Sequence, residues 1–163
     1  MLRHKKNKHP SPPPQDRWWE KETILPLPSL TTIMVNGSTQ SGKTFFTKRL
    51  LENARGMFTV PPRRIVYAYY EYQPLFDIMK RTIPNIIFHQ GLPDREDLEN
   101  YSEGLDHVIL VLVDLMLKIT QSEDCVQLFT VTSHHRNITV LFLTQNLYPP
   151  GKYTRSISFN CST

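Results

Sequence analysis

Cysteine is almost absent. Cys125 and Cys161 are the full complement of a 163-residue chain, too few for a disulfide framework or a zinc cluster and in keeping with a reducing compartment. Long apolar runs are missing too. The longest, Val108 to Val113, falls far short of the roughly twenty residues that cross a bilayer; no membrane partner is expected, and the run reads as a buried strand. The first residues are basic and then proline-rich with no apolar block, so no secretory signal is read and an intracellular location is expected. Charge is not strongly one-sided. A formal net charge of +4 suits a polyanionic partner without requiring one. No internal repeat is present. The length fits one domain, able to bury about two-thirds of its unfolded surface.

Against these absences one motif is complete. Gly37-Ser38-Thr39-Gln40-Ser41-Gly42-Lys43-Thr44 has the G-x-x-x-x-G-K-[ST] spacing and directly follows the apolar stretch Thr32-Ile33-Met34-Val35. The two glycines let the backbone curl so that successive N–H groups point inward at phosphates. Lys43 supplies a mobile positive charge to the β and γ phosphates, and Thr44 a hydroxyl to Mg²⁺. A helix expected over residues 43–53 aims its positive end at the same anion. Residues 37–44 are therefore the candidate nucleotide-binding loop.

The rest of the chain alternates between two periodicities. Residues 1–16, with Arg3, Lys5, Lys6, Lys8 and a proline run, lack hydrophobic patterning and read as a solvated arm. Residues 17–163 read as the domain, entered by Trp18 and Trp19, either as core cover or as an aromatic wall near a base. Strands are expected at 32–35, 64–69, 85–89, 107–114 and 139–144. Helices are expected near 74–81, 94–101 and 124–130. Alternation of this kind predicts a parallel sheet with helices on both faces.

Phosphate chemistry needs a carboxylate at a strand end beside the loop, for Mg²⁺ and for the attacking water. Asp114, closing the run Val108-Ile109-Leu110-Val111-Leu112-Val113, supplies one. Two acids in tandem are common at such a position, whereas here Asp114 is flanked by Val113 and Leu115. Asp114 is then either metal ligand or base, with the other role unfilled, or a capping residue at the strand end, and an acid introduced at Val113 is expected to raise turnover if the missing acid is limiting. Gln145, at the end of the fifth strand, is the candidate phosphate sensor, with an ordinary loop amide as the alternative.

Longer strings carry a resemblance. Residues 129–140, FTVTSHHRNITV, together with Leu143-Thr144-Gln145-Asn146-Leu147 and Arg155-Ser156-Ile157-Ser158-Phe159-Asn160, resemble the genome-packaging ATPases of the FtsK-HerA superfamily. The poxvirus-like and Polinton-like branch is the most similar. Ile65-Val66-Tyr67, residues 72–76 and Gly91-Leu92-Pro93 agree as well, so the likeness runs from about residue 25 onward. It implies a P-loop NTPase: an α/β three-layer sandwich on a mainly parallel five-stranded sheet, binding and hydrolysing ATP with Mg²⁺. It also implies a homo-oligomeric ring that moves double-stranded DNA into a capsid, with capsid proteins as partners. The setting would be viral or virus-derived: the nucleus or cytoplasm of an infected cell, or the virion.

Carried over by position, the resemblance assigns phosphate binding to Gly37–Thr44, metal binding to Thr44 and Asp114, and catalysis to Lys43, Asp114 and Gln145. It marks His134, His135, Arg136 and Asn137 as a family element; their own chemistry is that of a basic turn facing DNA, a neighbour or solvent. Arg155 is a candidate arginine finger, or a surface arginine paired with an acid. The family continues past the Ile157-Ser158-Phe159-Asn160 segment, so a C-terminally truncated domain is expected. A small-molecule kinase would carry an arginine-rich lid and a GTPase an Asn-Lys-x-Asp after the fifth strand, and neither is read here. The serious rival is a nucleotide-binding scaffold with little or no turnover.

Overall fold

The computed structural model of the chain describes residues 26–132 and 134–145. Five strands, β1 (Thr32–Asn36), β2 (Arg64–Tyr69), β3 (Ile86–Gln90), β4 (Val108–Val113) and β5 (Ile138–Thr144), form one sheet in the order β1-β5-β4-β2-β3. Every pairing is parallel. The helices are α1 (Lys43–Glu52), α2 (Ala54–Met57), α3 (Leu75–Thr82), α4 (Arg95–Ser102), α5 (Met116–Thr120) and α6 (Glu123–Gln127).

Strands buried on both faces read as continuous apolar runs, because each pleat face needs its own cover. β4 shows this directly. Val108, Leu110 and Leu112 join Leu98 of α4, Met116 and Ile119 of α5 and Val126 of α6 on one side. Ile109, Val111 and Val113 join Leu50 and Leu51 of α1, Ala54 of α2, and Phe76 and Met79 of α3 on the other. The expected layering with helices on both faces is thus realised. Each fully buried Val, Leu or Ile contributes about 1.5–3 kcal/mol.

Local signals set most boundaries. Asp94 and Asp97 form a reciprocal capping box, with the Asp97 amide donating to Asp94 Oδ1 at 2.8 Å and the Asp94 amide donating to Asp97 Oδ2 at 3.0 Å. That starts α4 at Arg95, one residue after the expected start. α6 opens on Ser122 and is shorter than the stretch expected over 124–130. Leu128–Thr132 instead forms a wider π-type turn, and His134–Arg136 a short 3-10 turn.

The acid-bearing strand does not lie beside the phosphate-loop strand, because β5 is inserted between β1 and β4. The Val113 level of β4 pairs with Leu143, and the Asn36 end of β1 pairs with Thr144. β5 makes hydrogen bonds to both neighbours, and its residues Ile138 to Thr144 are all buried.

At the far end of β4, His107 is fully buried. Its Nδ1–H donates to the Val60 carbonyl at 2.6 Å, and its Nε2 accepts from the Thr139 hydroxyl at 2.8 Å. Thr139 Oγ1 in turn accepts from the Leu30 amide at 3.1 Å. These partners fix the Nδ1–H tautomer, and burial pushes the imidazole below its ordinary range.

Candidate nucleotide-binding site

Three strand ends meet at the carboxyl edge of the sheet. β1 delivers residues 37–44, β5 delivers Gln145, and β4 delivers Asp114. α1 departs from β1 toward one face of the sheet, while α5 and α6 leave β4 toward the other. Diverging connections of this kind open a crevice outside the strand ends.

The loop is held by its own backbone. The Gly37 amide donates to the Thr144 carbonyl at 3.2 Å, and the Ser41 amide to the Ser38 carbonyl at 3.1 Å. Gly42, the residue before α1, has φ +85°, a conformation that glycine enters at little steric cost. Gly37 instead leaves room for a neighbour: a Cβ there would lie 2.5 Å from Ser41 Oγ and make that hydroxyl shift. No side chain caps α1 and no acid sits in its first turn. Its first N–H groups and positive dipole end are therefore available to an anion. Lys43 Nζ donates to the Gly37 carbonyl and, at 2.9 Å, to the Ser38 carbonyl, so its ammonium lies across the mouth of the loop.

The second and third strand ends close the same cavity, of about 380 Å³, whose lining includes Thr39 to Phe45, Gln73, Val113, Asp114 and Gln145. Gln145 Oε1 accepts from the Thr39 hydroxyl at 3.0 Å, tying the end of β5 to the loop. Asp114 adopts φ +53°, a left-handed conformation that Asp tolerates better than most residues. Its amide donates to the Leu143 carbonyl at 3.0 Å, and its side chain is exposed to the cavity. Val113, only 7% exposed, packs into the apolar cluster beneath α1 and α3. The Tyr67 hydroxyl is buried without a hydrogen-bond partner among the described residues. Burial first, and then the Asp114 carboxylate, push it well above the ordinary phenol range.

The residues present fit a nucleotide and a hard cation. Glycine at 37 leaves a cradle that a Cβ would fill, the amides of an uncapped helix and a lysine supply anion donors, and Thr44 and Asp114 supply oxygen ligands of the kind Mg²⁺ takes. The structure thus brings Gly37 to Thr44, Asp114 and Gln145 together. Arg155, Trp18, Trp19, the basic arm and the side chain of His134 lie outside the described residues. Arg136 donates to Glu99 of α4 at 2.6 Å, and the Asn137 amide group donates to the Leu105 carbonyl at 3.4 Å. Arg136 therefore grips its own chain, while His135 is exposed.

A parallel five-stranded sheet layered between helices, with a phosphate loop leaving its first strand, is the fold of P-loop NTPases. Neither a protein-family model nor a curated protein sequence matches the chain. Among solved structures, the cytoplasmic domain of EssC is similar in fold, with a TM-score of 0.52 at 14% identity over 81% of this chain and 30% of that one. Two structures of the genome packaging NTPase B204 from Sulfolobus turreted icosahedral virus 2 are also similar, both at a TM-score of 0.46. The complex with AMP shares 11% identity over 72% of this chain and 66% of that one. The complex with ATP-gammaS shares 14% over 78% and 69%. This chain therefore spans just under two-thirds of the first B204 chain and less than a third of the EssC chain.

Proposed function

We propose that the chain is an ATP-hydrolysing motor subunit that acts on double-stranded DNA as part of a homo-oligomeric ring. The observation that carries the nucleotide reading is the convergence of the phosphate loop, Asp114 and Gln145 on one cavity of about 380 Å³. The sequence likeness to FtsK-HerA packaging ATPases, centred on residues 129–147 and 155–160, supports the motor, the DNA, the ring and delivery into a capsid. A viral or virus-derived setting follows from the same likeness.

In this reading the loop amides and α1 bind the phosphates, and Lys43 turns from the Gly37 and Ser38 carbonyls to the β and γ phosphates. Thr44 and Asp114 would hold Mg²⁺, which when bound neutralises phosphate charge as the bond to the leaving group breaks. Gln145, positioned by Thr39, orients the attacking water. Arg155 of a neighbouring subunit completes the site. Catalysis of this kind is mostly positioning and charge stabilisation.

A second reading, a nucleotide-binding scaffold without turnover, is favoured by Val113, an apolar residue where a tandem acid would stand. Steady-state ATP hydrolysis with and without double-stranded DNA, run beside Lys43→Ala, separates the two. DNA-stimulated turnover that weakens with added salt and disappears in the variant supports the motor. ATP binding without turnover in either condition supports the scaffold.

A further inference from the structure

The unfilled second carboxylate has a candidate that sequence adjacency conceals. A smaller cavity of about 150 Å³ is lined by Tyr70, Glu71, Gln73, Val113 and Asp114. Gln73, Val113 and Asp114 also line the phosphate-loop cavity, so the two adjoin along the ends of β2 and β4. These strands are neighbours with Ala68 level with Leu112. Extending that register puts Tyr70 beside Asp114 and brings Glu71 off β2 one residue beyond it. Forty-three positions apart in sequence, the two carboxylates share one cavity.

Glu71 is exposed there, and among the described residues no hydrogen bond or ion pair draws it elsewhere. Its neighbours are fixed. The Lys118 ammonium lies 4.6 Å from the centre of the Tyr70 ring, the Tyr72 hydroxyl donates to Asp77, and the Gln73 carbonyl accepts from the Phe76 amide at 2.9 Å. The segment thus holds an exposed carboxylate in a cavity that shares Gln73, Val113 and Asp114 with the phosphate-loop cavity.

Resting on the reading of this cavity as a hydrolysing site, we infer that Glu71 is the general base, supplied across the strand boundary from β2, and that Asp114 serves the metal. Water attacks the γ phosphorus and the bond from that phosphorus to the β–γ bridging oxygen breaks. The bridging oxygen leaves with ADP and its electron pair, while the proton of the water passes to the Glu71 carboxylate and then to solvent. The products are ADP, phosphate and one proton. A base placed in this way typically contributes 10²–10⁴-fold.

The test is Glu71→Gln in the full chain, with Glu71→Asp beside it, read by kcat, by binding of a fluorescent ATP analogue and by the pH profile. Glu71→Gln is expected to lower kcat about 100-fold or more while analogue affinity stays within about threefold. Glu71→Asp, which keeps the carboxylate, should recover part of the rate. The acidic limb of the parent's rate profile should flatten in Glu71→Gln, a change that a merely structural role would not produce. A kcat within threefold of the parent overturns the inference, and so does a parallel loss of analogue binding. Absence of turnover in the parent would overturn the hydrolysing reading along with it, whereas a robust parent rate that survives Glu71→Gln removes Glu71 alone.

Discussion

His107→Leu offers a quantitative check on the packing that supports the site. In the parent, the imidazole serves the Val60 carbonyl and the Thr139 hydroxyl and stacks edge-on against Phe58, with ring centroids 5.3 Å apart. Leucine satisfies neither polar group. The Val60 carbonyl keeps the Ser29 hydroxyl at 3.3 Å, but the Thr139 O–H is left stranded at a cost of about 1–3 kcal/mol, so the variant should lose about 1–3 kcal/mol at pH 7.5. Protonation adds a second signature. The folded-state pKa of His107 is depressed by burial, so below the ordinary histidine value of about 6.5 the unfolded chain takes up a proton that the folded chain refuses. Parent stability therefore falls as pH drops below about 6.5, by at most about 1.4 kcal/mol per pH unit, until the folded-state pKa is reached. Carboxylate effects are common to parent and variant. The gap between the two, measured by urea unfolding followed by circular dichroism, should narrow from pH 6.5 toward 5. A gap that stays constant, or widens with acid, would refute a neutral, doubly bonded His107.

Two further changes probe the site. Val113→Asp, which the sequence suggests as a way to raise turnover, places a carboxylate in a cluster with Leu50, Phe76 and Leu143; the expected result is a loss on the order of 3–5 kcal/mol in chemical denaturation, with no gain in kcat. Gly37→Ala brings a Cβ to 2.5 Å from Ser41 Oγ and 3.4 Å from Lys43 Cγ, so calorimetry should show ATP affinity reduced about tenfold or more, equivalent to about 1.4 kcal/mol.

Much of this architecture is legible from residue order because it depends on local pattern. The run Arg64-Ile65-Val66-Tyr67-Ala68-Tyr69, with two β-branched and two aromatic residues, sets both ends of β2, and Val108–Val113 is a strand because both its faces need cover. What the pattern could not reveal is long-range. Nothing in sequence order places β5 between β1 and β4, since that choice is made by pairing between distant segments. For the same reason Glu71 looks like an ordinary loop acid until β2 is known to border β4. α2 and α5, with four and five residues, are too short to display a helical period. The motif residues are read directly because a phosphate loop is a run of consecutive residues, whereas the other residues lining the cavity, Asp114 and Gln145 among them, converge from separate strands.

β5 also has the form of a mechanical link between two rims of the sheet. Seven residues at about 3.3 Å each make a strut of about 23 Å. At one end Gln145 meets Thr39 of the phosphate loop; at the other, the strand follows the turn in which Arg136 clasps Glu99 of α4. Enclosed along its whole length, the strut has little freedom to buckle. A displacement at the phosphate-loop end would therefore be carried to the opposite rim of the sheet, where α4 and the histidine-bearing turn lie.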